Sequence, residues 1–525
     1  MKRILITTIL LGYISLVFFA RAQDSFADVS WTKSQNRCVE YIFDSASPLG
    51  YDSSGVVLLC DPITSSQANE IILGPGQDYA FMRVGSDMSL NPMKIIDLKE
   101  GDSKKEFEFA LWLNNEYYVF TSFQNQASKK TYLFSQSLNK QTLEVNDDLR
   151  KLAEIDYSEH NRYNSSQFNY SLSSDSSKIL ITCLLTDKSK AVLEMQMFVF
   201  SDSWDIIWKK GIVTSAFEKI FAYQNFTVNN NGEVFVLGKS YSSKRDFEND
   251  NINKKHILIT ISEDGKKTRE YNLDIPDKLV RYLTMKPNDK GEVICAGFYA
   301  HDQMRSIIGA CTFHLNLTNE KMELSHQPFP VEFLMEGRKK SEAKKIQSNH
   351  SRNKEFDDDE YTIEPLFLRE DGGYFLAATQ IKLRTIYASN GSTYTYQILT
   401  YNFNDVIIIA FDKSGTLQWH KKIDHSSKPM QIGMTKALLL KDNLYVLHNK
   451  LNTKELALLP SLKNAELRLS RITPDGQMQT QTIPSGEEIN MAIMPYTARR
   501  AGEASIMVQG ISAWYAVSFL RIDLN

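Results

Sequence analysis

Cysteine is the first residue type in this 525-residue sequence whose spacing could do chemistry. None of the five cysteines forms a C-x-x-C pair, so nothing supports a zinc or thioredoxin-type site. Cys295 and Cys311 lie in two apolar segments, EVICAGFYA and SIIGACTFHL, with HDQMR between them. A hairpin with a five-residue loop centred on Gln303 would place the two thiols directly opposite each other on one sheet face. The pattern leaves two interpretations open, a cross-strand disulfide and two buried free thiols.

The run Asp357-Asp358-Asp359-Glu360 offers carboxylate oxygens that could bind Ca²⁺. It lacks the spaced ligands and the glycine of a calcium loop, so the pattern favours a solvated acidic turn. The nine histidines are scattered and give a zinc site little support. The sequence has no G-x-S-x-G, P-loop or H-E-x-x-H motif. We therefore predict no catalytic, cofactor-binding or metal-binding residues, with Ca²⁺ as the one cofactor that the acidic run leaves open.

The segment from Ala410 to Trp419 is similar to the tryptophan-docking motif of quinoprotein propellers. Asp412, Gly415 and Trp419 match that motif, but the spacing from Asp to Gly is one residue shorter and Ser414 stands where Thr is expected. In such a motif the Asp and Gly build a turn and the Trp packs one blade on the next. We interpret these three residues as a structural blade motif, because nothing identifies the ligands that a quinone and its cation would need.

The elements that carry these residues recur along the chain as strand, polar turn, strand. The turns are rich in Gly, Asn and Asp, which supply the positive φ that tight hairpins need. Their markers are Gly55, Asn115, Ser177, Gly232, Gly291, Gly372, Asn443 and Gly502. The markers recur about every sixty residues, apart from two larger intervals that inserts explain.

A second landmark ends the third strand of several units at Gly265, Gly415 and Gly476. One further unit aligns with this pattern: Trp208 falls opposite Trp419, while Trp204 replaces the glycine. A four-stranded meander repeated at a fixed period is typical of a β-propeller.

We predict an all-β fold, a single β-propeller of about eight four-stranded blades, with seven as the alternative because the first unit is irregular. The last unit has three strands before the chain ends. The orphan strand Phe26 to Trp31 would be its fourth and would close the ring.

The first 22 residues read as a signal peptide, with Lys2 and Arg3 before an apolar run and a cleavage site near Ala22. Residues 23–525 would form the propeller, with inserts at about 337–360 and 386–403. No later stretch reaches the length of a membrane span. The net charge of −3 argues against a nucleic-acid partner. We expect a periplasmic or extracellular protein with no membrane span after signal cleavage.

The stretch from Glu364 to Asn449, with the Lys-rich segment from Arg338 to Lys345, resembles a family of uncharacterised secreted propeller-like proteins from Bacteroidetes bacteria. The resemblance implies export and a propeller, and it carries over no catalytic residue. Two functions remain. One is a non-enzymatic binding or scaffold propeller that recognises a protein or glycan of the cell envelope through its loops. The alternative is a carbohydrate-active hydrolase or lyase with carboxylates at the channel mouth.

Overall fold

A computed structural model describes residues 25–32, 43–62, 79–91, 93–100, 103–156, 167–186, 192–213, 220–248, 254–357, 359–389, 395–425, 434–451, 465–485, 489, 491–512 and 517–525. The predicted signal peptide and Cys38 lie outside these residues. Among the helices of the described segments, none is long and apolar enough to cross a membrane.

Eight antiparallel sheets follow one another along the chain, and each forms one blade. Blade 1 contains β2 (Phe43–Asp52), β3 (Gly55–Pro62), β4 (Ala80–Gly85) and β5 (Lys94–Ile95). A small hairpin follows it, β6 (Lys99–Glu100) and β7 (Ser103–Lys104). Blade 2 contains β8 (Glu106–Leu113), β9 (Glu116–Asn125), β10 (Lys130–Leu138) and β11 (Arg150–Asp156). Blade 3 contains β12 (Gln167–Leu172), β13 (Lys178–Thr186), β14 (Val192–Ser201) and β15 (Ile206–Val213).

The next two blades have the same four-stranded plan. Blade 4 contains β16 (Ile220–Val228), β17 (Val234–Tyr241), helix α1 (Lys244–Glu248), β18 (Lys254–Ser262) and β19 (Lys267–Asn272). Blade 5 contains β20 (Lys278–Pro287), β21 (Glu292–His301), β22 (Ile307–Asn316) and β23 (Met322–Pro328). Helices α2 (Val331–Met335) and α3 (Lys340–His350) follow it.

The last three blades complete the ring. Blade 6 contains β24 (Glu360–Ile363), β25 (Phe367–Leu368), β26 (Tyr374–Ser389), β27 (Thr395–Phe411) and β28 (Leu417–Ile423). Blade 7 contains β29 (Lys436–Leu440), β30 (Asn443–Leu451), β31 (Ala465–Ile472) and β32 (Met478–Ile483). Blade 8 contains β33 (Met491–Ile493), β34 (Arg499–Arg500), β35 (Ser505–Ser512), β36 (Val517–Leu524) and β1 (Ala27–Trp31).

The N-terminal strand closes the ring, as predicted. β1 pairs antiparallel with β36, from Ala27 opposite Leu524 to Trp31 opposite Leu520. Gln481 of blade 7 also holds this strand: its Oε1 accepts bonds from the amides of Phe26 and Ala27, both at 3.1 Å, and its Nε2 donates to the carbonyl of Ala27 at 2.8 Å. The fold-class prediction is confirmed, with eight blades, because β2 to β5 form a full four-stranded sheet in the irregular first unit.

Apolar side chains fill every junction between neighbouring blades. Separate clusters of buried residues join blades 1 and 2, 2 and 3, 3 and 4, 6 and 7, and 7 and 8, and one larger cluster spans blades 4 to 6. A last cluster joins Val56 and Met82 of blade 1 to Met507 and Phe519 of blade 8. The core is therefore a ring of inter-blade layers.

Replacing Gln481 by Ala should loosen the closure strand. The change leaves the amides of Phe26 and Ala27 without their acceptor, which we expect to cost about 1–3 kcal/mol of unfolding free energy. Urea unfolding and amide hydrogen exchange of β1 measure the effect. Gln479→Ala is the control, because Gln479 is exposed on the same strand and accepts a bond from Arg471 of its own blade. Equal protection of β1 in both variants would contradict the role of Gln481.

Candidate functional site

Two faces of the propeller differ in what they carry. In each blade the innermost strand begins at one face of the ring, here called the insert face. Because neighbouring strands are antiparallel, the connection between the second and third strands lies at the same face. The opposite face, here called the turn face, holds the short hairpins. Segment 329–359 joins blade 5 to blade 6 at the insert face, and the β26–β27 hairpin of blade 6 rises from it. Topology therefore brings both inserted segments to one place.

Segment 329–359 packs across the outer strand of blade 6. The rings of Phe329 and Phe333 lie 5.9 and 4.2 Å from the imidazole of His420, centroid to centroid. Lys422 donates to the carbonyl of Glu336 at 3.0 Å, and its ammonium lies 4.9 Å from the Phe333 ring centroid. Burial lowers the pKa of Lys422 to about 8. These contacts fix the start of the segment on blade 6.

The other end of the segment is bonded to blade 5. The carboxylate of Glu355 accepts bonds from the amides of Arg305 and Ser306 at 2.7 and 2.6 Å. The Ser306 hydroxyl also bonds Glu355 and accepts the amides of Phe356 and Asp357, each at 3.0 Å. Helix α3 lies between these two anchors with Ile346 as its buried residue. The segment thus spans the junction of blades 5 and 6.

A buried charge cluster lies beneath this segment. The Nη2 atom of Arg338 is 2.8 Å from the carboxylate of Asp359 and 3.3 Å from that of Asp357. Gln380 donates to Asp359 at 2.7 Å, and the ammonium of Lys382 lies 3.8 Å from the second oxygen of that carboxylate. Burial and the neighbouring Asp359 raise the pKa of Asp357 to about 7, although Arg338 opposes the shift.

The preferred interpretation of the acidic run was wrong. The side chain of Asp359 is 0 % exposed and that of Asp357 is 10 % exposed, so they do not form a solvated turn. The run looks solvated in sequence because its counter-ion, Arg338, stands about 20 residues away in the Lys-rich segment. Among the described residues no group of three or more Asp, Glu, His or Cys side chains could hold a metal ion. Asp358 lies outside these residues.

The β26–β27 hairpin extends well beyond its blade. β24 pairs with β26 as far as Ile381, and β28 pairs with β27 from Val406 onward. From Lys382 opposite Asn402 to Ser389 opposite Thr395, the two strands pair with each other. The predicted insert 386–403 therefore forms most of a two-stranded ribbon that stands on the insert face. Lys382, at its base, reaches Asp359 and links the ribbon to the buried charge cluster.

The central channel is lined by the innermost strands and carries charged groups. Glu364, which follows β24, pairs with Lys436 of blade 7 at 2.7 Å. Glu108 of blade 2 accepts a bond from the amide of Phe168 in blade 3 at 3.2 Å, and burial raises its pKa to about 7. Arg499 of blade 8 interacts electrostatically with Glu364 and with Tyr170 of blade 3, so its side chain reaches into the channel.

Cys295 and Cys311 lie on one face of the blade 5 sheet, but the predicted register was wrong. Cys295 stands opposite Phe313, and Cys311 stands opposite Gly297. The turn places Gln303 at a φ of +57°, and an irregularity between Tyr299 and Ala300 shifts the pairing, so the thiols are diagonal rather than directly opposed. Both thiols are buried and free. Of the two interpretations, the structure has the pair of buried thiols.

Asp412, Gly415 and Trp419 lie together at a blade junction. The carboxylate of Asp412 accepts the amides of Ser414 and Thr416 at 2.8 and 2.9 Å, and Gly415 has a φ of +81°. The indole of Trp419 donates to the carbonyl of Pro474 in blade 7 at 2.9 Å. The structure therefore places these residues in a turn and an inter-blade contact.

The same contact recurs three junctions earlier, between blades 3 and 4. The indole of Trp208 in blade 3 donates to the carbonyl of Gly232 in blade 4 at 3.0 Å. Trp204, in the place of the turn glycine, has a φ of +65° and packs on Tyr118 and Phe120 of blade 2. A non-glycine residue there costs about 1–2 kcal/mol, which burial of its indole offsets.

Sequence reasoning missed the channel residues. Glu108, Tyr170, Glu364, Lys436 and Arg499 come from five different blades, so no spacing along the chain brings them together. The one signal available was a charged or hydroxyl-bearing side chain on the first strand of a repeat, where the period predicts the channel wall.

Comparisons with known proteins add little to this geometry. No family model and no curated protein matches the chain. Similar solved structures include a PL25 ulvan lyase bound to a GlcA–Rha3S ligand, at 11% identity and a TM-score of 0.37, covering 81% of this chain and 94% of that one. The WD40 domain of SCAP from fission yeast has 6% identity and a TM-score of 0.39, and the match covers 95% of this chain and 98% of that one. The Dos1 propeller has 9% identity and a TM-score of 0.39, covering 91% and 94%. These scores are too low to support an argument, so the eight blades rest on the strand pairing.

The buried charge cluster predicts a pH-dependent stability. Because the pKa of Asp357 in the folded protein lies above its ordinary value of 3.8, its ionised form opposes folding, and stability falls as the pH rises from about 4 to 7. Asp357→Asn removes this effect, so the gain in unfolding free energy over the native protein should grow between pH 4.5 and pH 8. Urea unfolding at several pH values measures it.

Asp371→Asn is the matched control. Arg369 and the amide of Gly373 lower the pKa of Asp371, so its contribution is present above the unfolded pKa and is lost only at more acidic pH. The effect of that variant should stay constant between pH 4.5 and pH 8. A pH-independent effect of Asp357→Asn would show that Asp357 is ionised throughout this range.

Proposed function

We propose that this protein is an exported binding propeller that recognises a protein or glycan of the cell envelope through its insert face. The carrying observation is that segment 329–359 and the β26–β27 ribbon stand side by side at one blade junction and are joined by Lys382 and Asp359. Connecting segments on a rigid scaffold commonly carry recognition in repeat folds. The predicted signal peptide supports export to the periplasm or the cell surface.

The anchoring of this face suits recognition. Glu355, Ser306 and Arg338 hold segment 329–359 to blades 5 and 6 at both ends, so helix α3 is presented in a fixed place. A prepositioned surface loses less conformational entropy on binding than a loose loop does. The ribbon adds backbone groups along the outer edges of β26 and β27 beyond Ile381 and Asn402, where the described strands provide no further pairing.

Shortening the ribbon tests this function. Replacing residues 383–401 by Asn-Gly keeps the Lys382 and Asn402 pair and closes it with a two-residue turn. We expect an unchanged unfolding midpoint and at least a tenfold loss of crosslinking from a photoreactive residue on helix α3 to envelope components.

The matched control is Asn115→Gly on the turn face, where the native φ of +63° suits glycine. It should leave the crosslinks unchanged. Crosslinks of equal yield from the ribbon-shortened protein, or competition by that protein equal to competition by the native one, would count against recognition by the insert face.

A second function, cleavage of an envelope polysaccharide, is favoured by the channel. Glu108, with its pKa raised to about 7, could hold or release a proton near neutral pH, and Glu364 provides a second carboxylate on another blade. Incubation with peptidoglycan fragments and acidic polysaccharides should then release reducing or unsaturated ends. Glu108→Gln, which keeps the acceptor for the Phe168 amide, should lower the rate at least a hundredfold. No product from the native protein would exclude this function for those substrates.

A further inference from the structure

The inner strand of the closing blade is interrupted at the channel. β33 ends at Ile493, a 3₁₀ turn follows at Pro495–Thr497, and β34 begins at Arg499. The Nη1 of Arg499 donates to the carbonyls of Tyr496 and Ala498 at 3.0 and 2.9 Å. These two bonds come from the turn itself, so the interruption fixes the guanidinium in the channel and leaves its Nη2 and Nε groups as further donors.

Arg499 differs from the other arginines in the interior of the described chain. Arg83, Arg281 and Arg369 each have a carboxylate within 4.0 Å, at 3.5, 3.6 and 2.8 Å. Arg499 is partly buried, and within the described ranges no carboxylate lies within that distance of it. A partly desolvated cation without a counter-ion costs free energy. The cost is understandable if an anion occupies the channel during function.

The neighbouring charges leave this cation uncompensated. Glu364 interacts with Arg499, but its carboxylate is paired with Lys436 at 2.7 Å. Tyr170 lies in the channel wall of blade 3, is 37 % exposed and packs its ring 4.7 Å from that of Phe109. The hydroxyl of Tyr170 bonds no group of the described chain, and a phenol keeps its proton at neutral pH, so it is available as a hydrogen-bond donor.

We propose that the central channel binds a carboxylate-bearing ligand, with the guanidinium of Arg499 as its counter-ion and the hydroxyl of Tyr170 as a second donor. A guanidinium presents two parallel N–H groups that match a carboxylate, and it stays charged at every physiological pH. A sugar acid and the C-terminal carboxylate of a peptide share this chemistry. The site is separate from the insert face, so it goes beyond the recognition proposed above.

The test uses the full-length mature protein and two carboxylate probes, glucuronate and N-acetylalanine, with glucose and N-acetylalanine amide as their uncharged counterparts. We expect one or both acids to raise the midpoint of thermal unfolding in proportion to the logarithm of their concentration above Kd, and the uncharged probes to have no effect. The acid that binds more tightly, measured by calorimetry, distinguishes a sugar source from a peptide source.

Variants separate binding from support of the fold. Arg499→Gln should weaken the acid at least tenfold and leave the unfolding midpoint without probe unchanged or higher, because an unpaired cation has been removed. Arg499→Lys keeps the charge without the planar fork and should bind with intermediate affinity. Tyr170→Phe should weaken binding several-fold. Arg500→Gln is the control, because Arg500 is exposed and bonds the nearby carbonyl of Gly502.

Two outcomes would overturn the proposal. One is that neither acid stabilises the native protein more than its uncharged counterpart does. The other is that Arg499→Gln and Arg500→Gln bind the acids as the native protein does. If Arg499→Gln does not fold, Arg499→Lys and Tyr170→Phe decide: affinities equal to that of the native protein would likewise reject the site. Because shortening the ribbon leaves the channel intact, that variant should bind the acids normally, which separates this result from the test of the insert face.

Discussion

Burial of both faces of every blade is the constraint on which this structure depends. Strands such as Val234–Tyr241 and Ile307–Asn316 are buried along almost their whole length, so each sheet is covered on two sides. A stack of such sheets would leave an apolar face at each end. A ring removes both ends, and the cluster that joins Val56 and Met82 to Met507 and Phe519 is the place where this happens.

The same constraint decides where polar chemistry can occur. Side chains between blades are committed to packing, which leaves the two faces and the channel for charged groups. The cluster around Arg338 and Asp359 lies at the insert face, where its charges are paired and hold an inserted segment on the ring. Arg499 lies in the channel, where an interruption of the inner strand holds its guanidinium. In our proposal this charge binds the carboxylate of a ligand.

Much of the fold could be predicted from the sequence because a propeller is a local pattern repeated. Positive φ angles occur at Gly232, Gly291 and Gly372, where the turns were placed from residue type alone. Blade 7 uses Lys441 and Asp442 for the same purpose, while Gly502 has no positive φ, so residue type located those turns only to within a residue or two. The repeat pattern predicts the same blades for a binding propeller and for an enzyme, so it could not decide between these two functions.

Long-range partners explain what could not be predicted. Arg338 and Asp359 are about 20 residues apart with a helix between them, and Tyr170 and Arg499 come from blades 3 and 8. The predicted register of Cys295 and Cys311 was wrong for a smaller reason. One irregularity between Tyr299 and Ala300 changes which residues stand opposite each other along the rest of the two strands. Neither an ion pair between residues far apart in the sequence nor a single irregularity changes the periodic pattern of the sequence, so neither could be predicted from it.

The pairing of β1 with β36 also sets the order in which the molecule can be completed. Ala27 and Leu524 are far apart in the sequence, so this contact has a very high sequence separation and cannot form until the residues around Leu524 have been synthesised. Until then the apolar faces of blades 1 and 8 and the edge of β36 are open to other chains. A protein built in this way is expected to need protection from aggregation until these two strands have paired.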